Sequence, residues 1–432
     1  MEVLETPLEI DLERLKSELK RLAQIGLDPE TGGLYRMAFT DADMEARVWL
    51  VQRMEEAGLE VSTDGAGNIS GVIVGKDPDA PRILVGSHID TVPCAGALDG
   101  SLGVMVGLEC LRTMKEAGIV PERTVELIAF SDEEGRFGGM FGSQSLIGEV
   151  NPDTLHNARD MNGVKLSDVM NRHGMDPWEA LDARRDPATI ACFLELHIEQ
   201  GPVLDRAAEQ IGLVEDITGL FKWTVRLKGE PNHAGTTPME MRKDAFLGLA
   251  AFASEIHRIL EENGSDRSRA TIGKIELHPG APNTVPGEAI CSLDVRDTNP
   301  DVLKELATAF RKALSAIARR MNLMFEFTVE SEISPVACHH VLLDVLERHA
   351  REKTLAYRRM PSGAAHDSQI IGRVAPVAMV FVPSRDGKSH SPAEWTPWDD
   401  IAAGAQLMLD SIADLATNPL PAALIEQRIT VR

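Results

Sequence analysis

Leu12, Leu15, Leu19 and Leu22 recur at the spacing of one helix face and Gly26 follows, which predicts an amphipathic helix with a glycine stop. Between residues 82 and 200 the rhythm alternates. RILVGSHID reads as a buried strand and SLGVMVGLECLRTMKEAG as a helix ending in glycine; TVELIAFSDEE and ACFLELHIEQG read as two further strands. Short apolar strands separated by helices imply an α/β domain with a mostly parallel central sheet flanked by helices. From about residue 214 the pattern changes: Phe221, Trp223, Val225 and Leu227 alternate as in a half-buried strand. A helix (KDAFLGLAAFASEIHRILEE), two strand-like runs (ATIGKIELHP and EAICSLDVRD), a second helix (DVLKELATAFRKALSAIARR) and a last strand (LMFEFTVE) follow. This β-α-β-β-α-β order is that of a ferredoxin-like unit, inserted into the first domain. Afterwards VAPVAMVFVPS resumes as a buried strand and residues 398–416 close the chain with a helix. The expected organisation is a catalytic domain in two parts, 1–213 and 330–432, around an inserted α+β domain over 214–329.

Charge narrows the partners. With 44 basic and 67 acidic residues in 432, for a net charge of −23, the chain has no cationic footprint for a nucleic-acid backbone. Most of that excess is expected to be solvated surface. The N-terminus, MEVLETPLEIDLERLKSEL, is acidic and has no continuous apolar core, so it does not read as a secretory signal, and no apolar run reaches membrane-spanning length. A cytoplasmic location without a membrane partner is expected. Cys94, Cys110, Cys192, Cys291 and Cys338 are odd in number and form no CxxC pair, so they are expected to be reduced and mostly buried thiols.

Common signatures fail. GAGNIS breaks the GxGxxG pattern at Ser70, GVIVGKD lacks the glycine spacing and the hydroxyl residue of a phosphate loop, and neither GxSxG nor HExxH occurs. What remains are polar clusters at the expected C-terminal ends of strands: His88 with Asp90, Asp99, Glu133 with Glu134, His197 in ELHIEQG, and His390 in KSHSPAE. In open α/β sheets ligands gather outside those ends, so residues distant in sequence can converge there. Imidazoles and carboxylates suit zinc and neighbouring divalent ions, and two ions about 3.5 to 4 Å apart need a bridging anion. An isolated histidine is more often a hydrogen-bonded structural residue, and His156, His173, His257, His278, His339, His340 and His349 take that reading. His88 differs because Asp90 could orient its imidazole from behind. Glu133-Glu134 alone would suit a solvated turn, but after the buried run VELIAFS two carboxylates call for a cation.

GSHIDTVPCAGALDGSLGV, FSDEEGRFGG, ELHIEQGPVL, PNHAGTTPM, APNTVPGEAICSLDVRD, SGAAHDS and SHSPAEWT together resemble the N-carbamoyl-L-amino-acid hydrolase and allantoate amidohydrolase group of the M20 dinuclear metallopeptidase-like enzymes, from about residue 10 to 416. The resemblance implies two divalent ions per subunit (zinc, manganese, cobalt or nickel), with Asp99 bridging, His88 and His197 completing one site, and Glu134 and His390 the other. Glu133 would be the general base, and a carboxylate free of metal suits proton transfer. The resemblance further implies that Arg296 and Asn283 bind a substrate carboxylate, which an arginine can clamp in a planar fork. Gln200, Ser362 and Gly363 would close the pocket, with His366 beside them and Asp367 next in the motif. His233 would stabilise the oxyanion from the partner subunit of a homodimer. Leu98 stands where the family often has an aromatic residue, and the Glu134-Gly135-Arg136-Phe137 stretch is one residue short, both altering the pocket wall rather than the ligand set. The expected reaction is removal of the carbamoyl group from N-carbamoyl-L-amino acids, with allantoate, ureidoglycolate and N-acyl amino acids as rival small carboxylate-bearing substrates. A metal-binding scaffold without turnover would have no need of Glu133 beside five ligands, and a peptidase is less favoured by ELHIEQGP and Arg296.

Overall fold

The computed structural model describes residues 8–424. The outermost residues of the expected domains, among them the first seven of the acidic N-terminus, lie outside the described residues. The chain divides into two compact units. One comprises the described residues up to Glu215 and from Cys338 onward, the other Asp216–Ala337.

The first unit is built on a mixed sheet whose centre is parallel. Val125–Phe130, Arg82–His88, Ile190–Ile198 and Val377–Val382 run side by side in that order, all parallel. They are almost wholly buried, as strands covered on both faces must be. The largely parallel expectation describes this centre alone, since Ile69–Ile73 and Glu60–Thr63 extend one side antiparallel and Ile211–Ile217 joins Val377–Val382 antiparallel on the other. Helix Ser101–Glu116 packs on the central strands and on the closing helix Trp398–Thr417. Helix Leu12–Leu22 buries Leu15, Leu19 and Leu22 and packs on Ser101–Glu116, as its leucine spacing predicts. Asp11 caps it by accepting from Arg14 N, satisfying one otherwise orphaned donor.

In the second unit the strands lie in the order Ile275–His278, Glu288–Asp297, Gly219–Lys228, Met324–Ile333, each antiparallel to its neighbour. Helices Ala245–Asn263 and Pro300–Met321 pack against this sheet, and Phe252, Phe310 and Trp223 lie in the core they enclose. The run ATIGKIELHP, read as one strand, is two. Ser292 Oγ accepts from Gly273 N and Lys274 N (3.2 and 3.0 Å), which separates Arg269–Thr271 from Ile275–His278 along the same partner strand. Among the described residues no helix is long and apolar enough to cross a membrane. All five cysteines are free; Cys94 is partly exposed and the other four are buried.

Candidate metal centre

The C-terminal ends of the parallel strands deliver the polar clusters to one place in the first unit. His88 ends its strand, and the chain then passes through Asp90 to Asp99 at the mouth of helix Ser101–Glu116. Glu133 and Glu134 follow Val125–Phe130, His197 is next to last in Ile190–Ile198, and His390 lies beyond Val377–Val382. His88, Asp99 and His197 offer nitrogen and oxygen atoms within 4.8 Å of one another, as do Asp99, Glu134 and His390. Asp99 belongs to both triads: His197 Nε2 lies 3.1 Å from its Oδ1 and His390 Nε2 3.2 Å from its Oδ2.

The imidazoles are oriented from behind by main chain. His88 Nδ1 donates to Asp90 O (3.0 Å) and His197 Nδ1 to Ile198 O (2.8 Å). A carbonyl can only accept, so Nδ1 carries a proton in both rings and Nε2 is the nitrogen turned towards Asp99, the atom a metal would bind. Asp90 therefore orients His88 through its carbonyl; its carboxylate lies 3.8 Å away. That carboxylate instead accepts from Glu133 N and Glu134 N (3.3 and 3.2 Å), fixing the turn that carries both glutamates.

The electrostatics call for cations. Burial together with surrounding carboxylates pushes Glu133, Glu134 and Asp367 well above the usual carboxylate range and Asp90 up to about 7. Burial also holds His88 down to about 4. It is the largest single influence on His197 as well, but the hydrogen bond to Asp99 and the charges of Asp99 and Glu195 together outweigh it and raise that group to about 9. Glu134 Oε1 is buried without a hydrogen-bond partner. Unpaired acidic groups at this depth are costly unless a positive charge meets them, and a mixed imidazole and carboxylate set without thiolates fits divalent ions of the zinc and manganese kind. A third grouping, Glu195 with His197 and His366, also lies within 4.8 Å, but the oxygens of Glu195 already accept from Ser87 Oγ and from Ser368 N and Oγ.

Glu133 belongs to neither triad and sits beside them, its Oε2 3.5 Å from His88 Nε2. Gln200, expected in the substrate pocket, donates from Nε2 to Asp99 Oδ2 at 2.8 Å. Ser362 and His366 meet through Oγ and Nε2 at 2.8 Å, the His366 ring lies against His197, and Gly363 is exposed with open space where a side chain would be. His233, Asn283 and Arg296 lie in the second unit. There the structure joins two of them: Ala234 N donates to Asn283 O, and Asn232–His233 pairs with Thr284–Val285. His233 is exposed, and its Nδ1 accepts from Gly235 N and Thr236 N (3.0 and 3.2 Å), leaving the proton on Nε2. Arg296 is forked onto Asp294, Nε to Oδ1 at 2.9 Å and Nη2 to Oδ2 at 3.3 Å.

The description "Peptidase family M20/M25/M40" matches residues 84–414. The chain belongs to this peptidase family. An N-carbamoyl-L-amino acid amidohydrolase of Geobacillus stearothermophilus is 38% identical over 94% of this chain and 98% of that protein. An allantoate amidohydrolase of Escherichia coli is 36% identical over 93% of this chain and 97% of its own. Among solved structures, an amidase of the hydantoinase/carbamoylase family from Burkholderia multivorans superimposes with a TM-score of 0.87 at 32% identity, covering 96% of this chain and all of that one. These three relatives are named as two amidohydrolases and an amidase.

Sequence reasoning passed over two acids. Glu195 ties the His197 strand to Ser87, beside His88, and to Ser368; its signal was an acid inside the otherwise apolar run ACFLELHI. Glu394, in SHSPAE, reaches the backbone of Leu98 and Asp99, and nothing local in the sequence marks that contact.

Proposed function

We propose that this protein is a dinuclear metal amidohydrolase that cleaves the carbamoyl group from N-carbamoyl-L-amino acids. One substrate and one water give the free amino acid, ammonia and carbon dioxide. The observation that carries the reading is Asp99 shared by two ligand triads with a third-party carboxylate, Glu133, beside them. Relatives of the same length named for this reaction support it.

Two divalent ions, of zinc, manganese, cobalt or nickel, would be held by His88, Asp99 and His197 and by Asp99, Glu134 and His390. Bound there, they supply Lewis-acid polarisation of the carbonyl and lower the pKa of the attacking water. Glu133 takes a proton from that water and returns it to the leaving nitrogen. Its main chain is pinned by Asp90, so the carboxylate keeps its aim through the cycle. His233 serves as a neutral Nε2–H donor to the developing oxyanion, a role for which its two Nδ1 acceptor bonds prepare it. In the proposed homodimer it acts on the partner's site. Arg296, by exchanging Asp294, and Asn283 bind the substrate carboxylate in this reading, and Gln200, Ser362, Gly363 and His366 are the substrate-binding residues of the first unit. A cytoplasmic location is part of this reading, and the five free cysteines support it.

The test is ammonia release from N-carbamoyl-L-methionine, its D-isomer, allantoate and ureidoglycolate, each before and after chelation and metal restoration. Chelator-sensitive release from the carbamoyl-L-amino acid is expected. Release from allantoate or ureidoglycolate alone moves the substrate to that branch. Silence on all four from metal-loaded protein, with amino acid released from N-acyl substrates, overturns the ureido reading.

A further inference from the structure

Asp99 and His390 lie on two loops, and Gln200 Nε2 reaches both, at 2.8 Å from Asp99 Oδ2 and 3.3 Å from His390 Nε2. Glu394 ties the same two loops together from another side. Its side chain is 6% exposed, and Oε1 accepts from Leu98 N at 2.8 Å and Asp99 N at 3.1 Å. Oε2 accepts from Ser389 Oγ at 3.0 Å, and the same hydroxyl lies 3.1 Å from Asp99 Oδ2. One carboxylate thus grips the backbone that carries Asp99 and the residue next to His390, across nearly 300 positions of sequence. The approach is made possible at Gly96, where a Cβ would fall 2.3 Å from Glu394 Cβ.

We propose that Glu394 is a positioning residue for the metal centre: it sets the spacing between Asp99 and His390 and accepts the Ser389 hydrogen bond, so that Asp99 Oδ2 has one donor fewer to give up when a cation binds. The inference rests on the dinuclear reading above. Each oxygen of Glu394 already accepts a hydrogen bond, and Glu394 is in neither triad, so it acts through Asp99 and Ser389 and not as a ligand. A serine hydroxyl has one proton to donate. Shared between two carboxylates 3.0 and 3.1 Å away, it goes where the geometry of Glu394 directs it.

The test is zinc binding by the full chain, measured by competition with a chromogenic chelator, for wild type, Glu394→Ala, Glu394→Gln and Ser389→Ala, with thermal melting of each metal-free protein alongside. Residues that orient metal ligands are commonly worth about 10–100-fold in metal affinity. Glu394→Ala should weaken zinc by at least about tenfold, in that range. Glu394→Gln, which keeps an oxygen for the two backbone donors, should recover part of the loss, and Ser389→Ala should show a smaller one. On the leading substrate, kcat should fall with KM little changed. Wild-type zinc affinity in folded Glu394→Ala overturns the proposal. If that variant does not fold, wild-type affinity in both Glu394→Gln and Ser389→Ala overturns it. A wild-type protein that takes up no zinc instead overturns the metal reading on which the proposal stands.

Discussion

Replacing Gly100 with alanine should dismantle the His88 side of the metal centre while leaving the sheet in place. Gly100 has φ 62° and ψ −50°, and Ser101 N lies 2.6 Å from Asp99 O, a three-residue turn of the strained hand. A residue with a Cβ held in that conformation costs about 1–3 kcal/mol. The Cβ itself would fall 2.3 Å from Cε1 and Nε2 of His88. The ring cannot retreat into solvent, because it is buried and its Nδ1 is bonded to Asp90 O. Overpacking of this kind adds about 1–3 kcal/mol, for a total of about 2–6 kcal/mol against a typical domain stability of about 5–15 kcal/mol. At roughly 2–4 °C per kcal/mol for a large domain, melting of the metal-free protein should fall by about 4–24 °C. Zinc stoichiometry, read by chelator competition, should drop because the triad of His88, Asp99 and His197 is displaced. Gly363→Ala is the control, since a Cβ there meets nothing within 4 Å, and its melting and zinc uptake should match wild type. A Gly100→Ala protein that melts with wild type and binds as much zinc would refute the reasoning.

Glu133→Gln should lower kcat by about 10²–10⁴-fold with zinc stoichiometry unchanged; turnover near wild type would remove Glu133 as the base. Asp414 is hydrogen-bonded by His349 and Asn418 and paired with Arg348, contacts that hold its carboxyl at about 2. Its folded pKa lies below the unfolded one, so it stabilises fully above about pH 4 and loses that effect as pH falls towards 2. Asp414→Asn should cost about 1 kcal/mol at pH 7, after allowance for solvent screening of a partly exposed group. That difference should shrink below pH 4 in urea melts, and one undiminished at pH 3 would contradict the assignment. A chromogenic disulfide reagent should count five thiols in denaturant but react readily with Cys94 alone in the native protein, and a count below five in denaturant would reveal a pairing the fold does not contain.

What the sequence disclosed follows from the range over which each feature is determined. The leucines of Leu12–Leu22 and the alternation of Phe221 to Leu227 are local, so the helix and the half-buried strand could be read directly. Residues at strand ends could be nominated because termini of apolar runs are visible without partners. The antiparallel margins of the first sheet, such as Glu60–Thr63 on Ile69–Ile73, were not legible, since pairing direction depends on how the chain returns. Side-chain contacts could not be read wherever the partner is main chain or distant in sequence. Asp90 is a case of the first kind, working through its carbonyl on His88. Gln200, which reaches Asp99 across about a hundred residues, and Glu394 are of the second. No periodicity in a run of letters reports a carboxylate that holds a backbone nearly 300 residues away.

The position of strand Val377–Val382 bears on how this protein comes into being. It lies between Ile190–Ile198 and Ile211–Ile217, strands made well before it. On the ribosome those two strands emerge first, and the slot between them stays open until the 216–337 unit and then Val377–Val382 have left the exit tunnel. A unit contiguous in sequence such as 216–337 can fold during that interval. The first unit cannot close its sheet, and His390 is not yet available to complete the second triad. A nascent chain therefore cannot assemble the complete centre early in its synthesis. From Ile217 until Val382 has emerged it carries an unfilled sheet whose exposed edges need protection from neighbouring chains.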